Sequence, residues 1–232
     1  MGLNEHWGKI VATLEKLIPI YDRANHFISF GLDVSYREEG IKGHIHLGDL
    51  ILDAGCGPGV MSEVTLNLTK TVRGLILLDA SKPMLTAAKN RLRTVKPSPI
   101  MGLFESLPFR DRVFDVVMLG FSIRDARSLG RAVGEFHRVL KSNEGRLIIV
   151  DLGKPDNILA RWIIGGYWRS LAVLLAYFAI GRMGRLYSAL HTTYQRLLRN
   201  SELKKLLESR FPKVSFKTKI LGGVVIIYAE QV

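Results

Sequence analysis

The stretch Ile51-Leu52-Asp53-Ala54-Gly55-Cys56-Gly57-Pro58-Gly59 constrains the fold more than any other part of the chain. Ile51 and Leu52 suit a buried parallel strand, and the glycines let the backbone turn tightly and approach a ligand. Val60 to Leu68 then reads as a helix whose N-terminal amides face that ligand. Leu75-Ile76-Leu77-Leu78-Asp79 is a second apolar strand that ends on an acid. At the carboxyl ends of a doubly wound sheet, such a carboxylate accepts hydrogen bonds from both hydroxyls of a ribose. The pattern predicts a nucleoside-bearing ligand, although a turn of this kind taken alone is common in any α/β fold.

The glycine spacing narrows the ligand. A dinucleotide fingerprint needs a glycine three residues after Gly57, and Val60 stands there. The segment D-A-G-C-G-P-G instead resembles the first motif of class I S-adenosylmethionine-dependent methyltransferases, whose ligand has no pyrophosphate to cradle. That resemblance implies S-adenosylmethionine as cofactor and S-adenosylhomocysteine as product. It implies donor contacts from Tyr21, Asp53, Gly55, Cys56, Gly57, Pro58, Asp79, Ala80, Met84 and Gly120.

Composition agrees with one catalytic domain, since 232 residues with 47% hydrophobic content support a single good core and exclude a disordered chain. The lone cysteine, Cys56, lies in the glycine turn, so no internal disulfide and no cysteine-based zinc site is expected. Residues 1–10 hold Asn4, Glu5 and His6 and no apolar run, which argues against a secretory signal and for a cytoplasmic protein. A formal net charge of +12 favours nucleic acid, anionic head groups or acidic substrates, or is merely solvated. Arg91-Leu92-Arg93 and Lys204-Lys205 look like solvent faces of helices, so nucleic acid is not the expected partner. Nothing in the spacing of His and carboxylates suggests a metal.

Along the chain, the apolar period of Leu3 to Ile18 predicts a helix stopped by Pro19. Tyr21 to Phe30, ending at Gly31, and Tyr36 to Ile45 read as further helices. Strands at Leu50 to Ala54, Leu75 to Leu78, Ile100 to Phe104, Phe114 to Leu119 and Arg146 to Leu152 alternate with helices at Val60 to Leu68, Pro83 to Val95 and Leu129 to Leu140. Ser81 is a plausible cap for the second of those helices. Asn157 to Leu198 reads as helices interrupted near Gly165-Gly166 and Gly181 to Gly184. A helix at Ser201 to Phe211 and a hairpin of Lys213 to Ile220 with Val224 to Glu230 close the chain. This is a mainly parallel α/β sheet of seven strands with an antiparallel last strand, the Rossmann-like class I methyltransferase fold. Its expected division is a helical cap (1–48), a cofactor-binding core (49–153), a helical insertion over the acceptor site (154–200) and a C-terminal helix and hairpin (201–232).

A narrower resemblance rests on several motifs together. Tyr21-Asp22-Arg23-Ala24-Asn25 with Ile28-Ser29-Phe30-Gly31, then Leu107-Pro108-Phe109, Gly120-Phe121-Ser122-Ile123-Arg124-Asp125, Arg138-Val139-Leu140-Lys141 and Leu221-Gly222-Gly223 are similar to the ubiquinone/menaquinone biosynthesis C-methyltransferase family. The likeness spans nearly the whole chain. Two places depart from it. Leu103 stands where the family has an acid near the adenine, so backbone at Leu103 and Phe104 and apolar packing would hold that base. Leu186 to His191 replaces a Y-L-P-E-S-I segment.

The resemblance implies methyl transfer to a ring carbon of a quinol-type isoprenoid acceptor of demethylmenaquinol type. Another small-molecule or lipid N- or O-methyltransferase shares the donor half, and a cofactor-binding protein without catalysis is a third reading. Positioning in a dry pocket supplies most of the help, while a base or cation beside the quinol oxygen makes the ring carbon nucleophilic. Arg124 is the candidate cation and His191 and Tyr194 the candidate bases. Against these stand structural roles: Arg124 can pair with Asp125 or Asp151, and a lone histidine on an apolar helix is more often a satisfied structural residue. The aromatic segment 161–185, with Arg161, Arg169, Arg182 and Arg185, fits a peripheral membrane-surface contact, a lid or a homodimer contact. Its uncharged run from Ser170 to Ile180 is too short to span a bilayer, which needs about twenty apolar residues.

Overall fold

Branched aliphatic runs pair into one sheet in the computed structural model, which describes residues 15–69 and 72–231. The strands are β1 (Leu50–Ala54), β2 (Gly74–Asp79), β3 (Ser98–Met101), β4 (Val116–Gly120), β5 (Arg146–Leu152), β6 (Lys213–Lys219) and β7 (Val224–Glu230). Their order is β3-β2-β1-β4-β5-β7-β6, and β7 is antiparallel to both its neighbours while the others share one direction. Ile51, Leu52 and Val116 to Leu119 are fully buried, as expected of central parallel strands covered on both faces. The strand order reverses between β1 and β4, and a ligand crevice belongs outside their carboxyl ends.

Helices α1 (Tyr21–Ile28), α2 (Leu32–Ile41), α3 (Val60–Leu68), α4 (Lys82–Arg91), α5 (Leu129–Val139), α6 (Ile158–Gly166), α7 (Ala172–Ile180), α8 (Ser188–Arg196) and α9 (Asn200–Glu208) cover the sheet and the crevice. Ile41, Met61, Val64 and Leu85 from α2, α3 and α4 pack on one face. Val133, Phe136, Leu203 and Leu207 from α5 and α9 pack on the other. A third cluster joins Ala24 and Ile28 of α1 to Ile164, Trp168, Ala172 and Tyr187. The expected strands 50–54 and 146–152 and helix 60–68 have those bounds, and Ser81 caps α4 by accepting from Met84 N at 3.2 Å.

Two expectations about the helices need correction. The third helix starts at Leu32 rather than Tyr36 and ends at Ile41. Gly31, at φ 77°, both closes α1 through its N–H to His26 O (2.7 Å) and opens α2, whose Asp33 N donates to Ser29 Oγ. An apolar-period reading misses that first turn because α2 buries Asp33 and Arg37 instead of hydrocarbon. Second, Gly165-Gly166 does not break the helix: Gly166 keeps helical angles, and α6 continues through a π turn (Tyr167–Leu171) into α7, whereas Gly181, at φ 64° and ψ −143°, interrupts the helix as expected, before a 3-10 segment (Gly181–Tyr187). The 30-residue stretch Ile158–Tyr187, which contains that break, is long and apolar enough by length and composition alone to cross a membrane, unlike the shorter run from Ser170. One of its faces is buried against α1 through Trp168, Ala172 and Ala176. Pro19 stops the first helix as expected: described residues 15–17 are helical, a 3-10 turn (Ile18–Ile20) that holds Pro19 follows, and Ile20, at φ −126° and ψ 7°, separates it from α1. Most of the expected helix Leu3 to Ile18 lies outside the described residues.

Helix α2 approaches β5 closely because Gly40 has no side chain; a Cβ there would sit 2.4 Å from Val150 Cγ2. Gly40→Ala is expected to lower the unfolding free energy by about 1–3 kcal/mol, the usual effect of overpacking a close contact. Urea unfolding checks this, and an unchanged midpoint would mean that α2 is not seated on the sheet as described.

Candidate active site

The donor end is built where β1, β2 and β4 finish. Gly55, Gly57 and Gly59 all have positive φ, and a Cβ on Gly55 would lie 2.6 Å from Phe104 Cζ and 2.7 Å from Ser122 Cβ. The turn is tied to β2: Gly55 N and Cys56 N donate to Leu78 O, at 2.7 and 3.0 Å. Asp79 holds it from the front, its Oδ2 accepting from Gly57 N and its Oδ1 from Ser81 N, both at 2.9 Å. Burial raises the Asp79 pKa, and these two N–H donors oppose that shift. Asp53 lies behind the turn, fully buried, with Oδ2 accepting from Ser62 Oγ at 2.5 Å and Oδ1 unpartnered. Burial pushes its pKa up to about 7 despite that hydrogen bond.

A cavity opens over this turn. Of the residues expected to hold the donor, Tyr21, Gly55, Cys56, Gly57, Pro58, Asp79, Ala80, Met84, Leu103, Phe104 and Gly120 line it. Asp53 does not; it acts on the cavity only through the turn it supports. A second, largely apolar cavity of about 300 Å³ lies beside the first, walled by Ile28, Ile164, Tyr167 and Trp168 among others. Tyr21, Arg37, Phe121 and Arg124 line both cavities and form their junction.

Buried charge is concentrated at that junction. Arg124 Nη1 donates to Asp151 Oδ1 at 3.1 Å, and its Nε lies 3.8 Å from Asp125 Oδ1. Burial disfavours the Arg124 cation, yet the two carboxylates more than reverse this and carry its pKa upward. Burial pushes the Asp125 pKa up to about 6, with Arg124 opposing. Arg124 thus lies at the junction of the two cavities and also makes both of the ion pairs that were its structural alternative.

The two candidate bases are not brought to the site. His191 lies on α8 with its ring nitrogen 3.5 Å from Gln195 Nε2, and the buried Tyr194 hydroxyl donates to Arg161 O at 3.3 Å. Neither lines either cavity. Sequence reasoning passed over Arg37 and treated Asp125 only as a partner for Arg124. The i, i+4 pair Asp33 and Arg37 was the available signal for the first, because such a pair on a helix face is a unit. In the structure Arg37 Nη1 donates to Asp33 Oδ2 at 3.0 Å.

A methyltransferase domain family matches residues 52–149, from β1 into β5. Over 177 residues the chain is 33% identical to 2-phytyl-1,4-naphtoquinone methyltransferase of Nostoc sp. (strain PCC 7120 / SAG 25.82 / UTEX 2576), covering 73% of this chain and 76% of that protein. The chain belongs to the ubiquinone/menaquinone C-methyltransferase family. Demethylmenaquinone methyltransferase of Leptospira interrogans (strain Fiocruz L1-130) is 29% identical over 237 residues, covering 97% of this chain and 93% of that protein. The plantazolicin methyltransferase BpumL in complex with SAH shares the fold, with a TM-score of 0.64 at 14% identity and 98% of each chain covered. This family member is an S-adenosylmethionine-dependent methyltransferase. Its residues fit that cofactor: a Cβ on Gly57 would meet nothing within 4 Å, so the turn leaves open space along its backbone, and the Asp79 carboxylate lines the same cavity.

Two outcomes are expected. Asp79→Ala weakens S-adenosylhomocysteine binding by about 1–3 kcal/mol in calorimetry, the effect of leaving buried partners unmet; an unchanged dissociation constant removes the ribose assignment. Asp53 has a folded pKa above its unfolded value, so its contribution to stability is full at low pH and is lost as pH rises from about 4 to about 7. The stability of Asp53→Asn relative to the parent protein therefore grows across that window and is flat above it, as measured by chemical denaturation at each pH.

Proposed function

We propose that the protein transfers a methyl group to a ring carbon of a quinol carrying an isoprenoid tail, of demethylmenaquinol type. One observation carries this reading: an apolar cavity wide enough for a ring and the start of a tail meets the donor cavity at Tyr21, Arg37, Phe121 and Arg124. The activities for which the Leptospira and Nostoc relatives are named support it. S-adenosylmethionine supplies an electrophilic methyl on a sulfonium. The chain supplies alignment and exclusion of water: Trp168 and Ile164 form an apolar wall, and Tyr21 borders donor and acceptor alike. Arg124 stabilises the developing oxyanion, and Asp125, with its pKa lifted to about 6, takes the proton in place of His191 and Tyr194. The 154–200 segment roofs the acceptor cavity, and its separation from the core at 49–153 belongs to this reading.

A peripheral contact with a membrane surface belongs to it too. Trp162 and Phe178 are 76% and 72% exposed on the long helix, within the 161–185 segment that carries Arg161, Arg169, Arg182 and Arg185. Phe30, Ile163, Ile220 and Leu221 line the acceptor cavity and are at least half exposed, so an apolar rim surrounds its mouth. A protein of net charge +12 with such a rim suits an anionic bilayer that holds the acceptor.

The deciding experiment is methyl transfer to demethylmenaquinol in detergent micelles, with mass spectrometry of the product. Carbon methylation is expected, and a methyl group found only on oxygen or nitrogen of some other lipid favours the alternative acceptors. Arg124→Ala should lower kcat far more than it weakens S-adenosylhomocysteine binding; equal losses mean a structural role. With Asp125 as the base, kcat rises with pH through about 6, and Asp125→Asn abolishes that limb of the profile. Flotation with anionic vesicles at low salt should carry the protein upward, and failure to float removes the membrane contact.

A further inference from the structure

Arg37 is 2% exposed, yet only part of its hydrogen-bonding capacity is met. Nη1 donates to Asp33 O at 2.9 Å and to Asp33 Oδ2 at 3.0 Å, while Nε is buried without a hydrogen-bond partner. A buried guanidinium with an empty donor is costly unless a ligand completes it. The side chain lines the donor cavity. Its position is fixed from below, where the guanidinium carbon lies 4.7 Å from the Phe121 ring centre. Phe121 holds φ at 61°, a left-handed conformation rare for an aromatic residue, and its N–H donates to Val150 O. Such local strain persists where the surroundings over-determine it, often at ligand clamps.

The direction of the donor in its cavity follows from the other residues. Asp79, Leu103 and Phe104 line that cavity, and the family resemblance assigns the ribose to the first and the base to the other two. The amino-acid tail then runs the other way, toward Tyr21, Arg37, Phe121 and Arg124. That tail ends in a carboxylate, and the junction offers two guanidinium groups for it. Arg124 Nε is also buried without a hydrogen-bond partner, but Arg124 already faces two acids, Asp151 and Asp125, so a third carboxylate there would meet net negative charge. Arg37 faces one, Asp33, whose Oδ1 also accepts from Ser29 Oγ at 3.1 Å. The fork of Nε with Nη2, on the edge turned from Asp33, has the geometry that pairs bidentately with a carboxylate.

We propose that Arg37 binds the α-carboxylate of the methyl donor, anchoring its amino-acid tail so that the sulfonium lies at the junction of the two cavities. This does not depend on which acceptor the enzyme uses. The anchor makes donor recognition bipartite, with Asp79 reading the ribose and Arg37 the tail.

The test compares ligands that differ at the tail. S-adenosylhomocysteine carries the carboxylate; its decarboxylated analogue lacks only that group; 5′-methylthioadenosine lacks the whole amino-acid end. In calorimetry on the unaltered protein, the decarboxylated analogue is expected to bind at least tenfold more weakly than S-adenosylhomocysteine. Arg37→Met is expected to weaken S-adenosylhomocysteine about 10- to 100-fold, the range for a hydrogen bond to a charged group. It should leave 5′-methylthioadenosine within about threefold, and Arg37→Lys should recover part of the loss. Because Arg37→Met strands the buried Asp33 carboxylate, Arg37→Met/Asp33→Asn is measured beside it, and retained 5′-methylthioadenosine binding reports an intact fold. Equal weakening of all three ligands, or equal affinity of the unaltered protein for S-adenosylhomocysteine and its decarboxylated analogue, overturns the assignment. No acceptor is present, so the outcome is independent of the quinol reading.

Discussion

The site depends on one crowded point, the backbone of Gly55 between Phe104 and Ser122. Three strand ends converge there because nothing projects from Gly55. Ser122 Oγ donates to Ala54 O at 2.9 Å and ties β4 to β1, while Leu78 O ties β2 to the same turn. A side chain at this position would have to displace an aromatic ring and a strand end together, at a φ of 68° that disfavours any residue but glycine. The donor cavity is therefore a by-product of how closely the sheet can be closed at its switch point.

Around that point the protein stores charge in a dry place. Asp53, Asp125, Asp151, Arg124 and Arg37 are all buried or nearly so within the ends of β1, β4, β5 and the body of α2. Buried ion pairs contribute little net stability, since desolvation offsets attraction. Their use here is orientation: Asp151 accepts from both the backbone and the side chain of Arg124, which fixes where its guanidinium points. Burial, with Asp151 and Asp79 near by, raises the Asp125 pKa against the pull of Arg124.

Much of the donor half was legible in the sequence because it is local. Strand, glycine turn and helix follow one another within about twenty residues, and Asp79 is read by its spacing from them. The second cavity was less legible because it is assembled from separated segments: Ile28 and Phe30 at the end of α1, Trp168 in the π turn, and Leu221 before β7 meet only in three dimensions. His191 and Tyr194 were credible as chemical types, but neither lines a cavity, and the break at Gly181 with the 3-10 segment after it made the phase of α8 unreadable from the sequence. Arg37 escaped notice for a related reason. Its helix buries a charged pair where an apolar period was sought, so the pattern that should have located α2 concealed its first turn.

The π turn at Tyr167–Leu171 has a consequence of its own. A π turn is an α-helix with one residue inserted, and each residue of an α-helix advances the chain by about 100° around its axis. The wider turn takes up the rotation of that extra residue, so the helix beyond it keeps its phase. Loss of a single codon within the turn would restore a regular helix and draw α7 in by about 1.5 Å, the rise of one residue, with its side chains still facing as they do now. Chain length can therefore change at this one point of the fold while the donor end stays untouched.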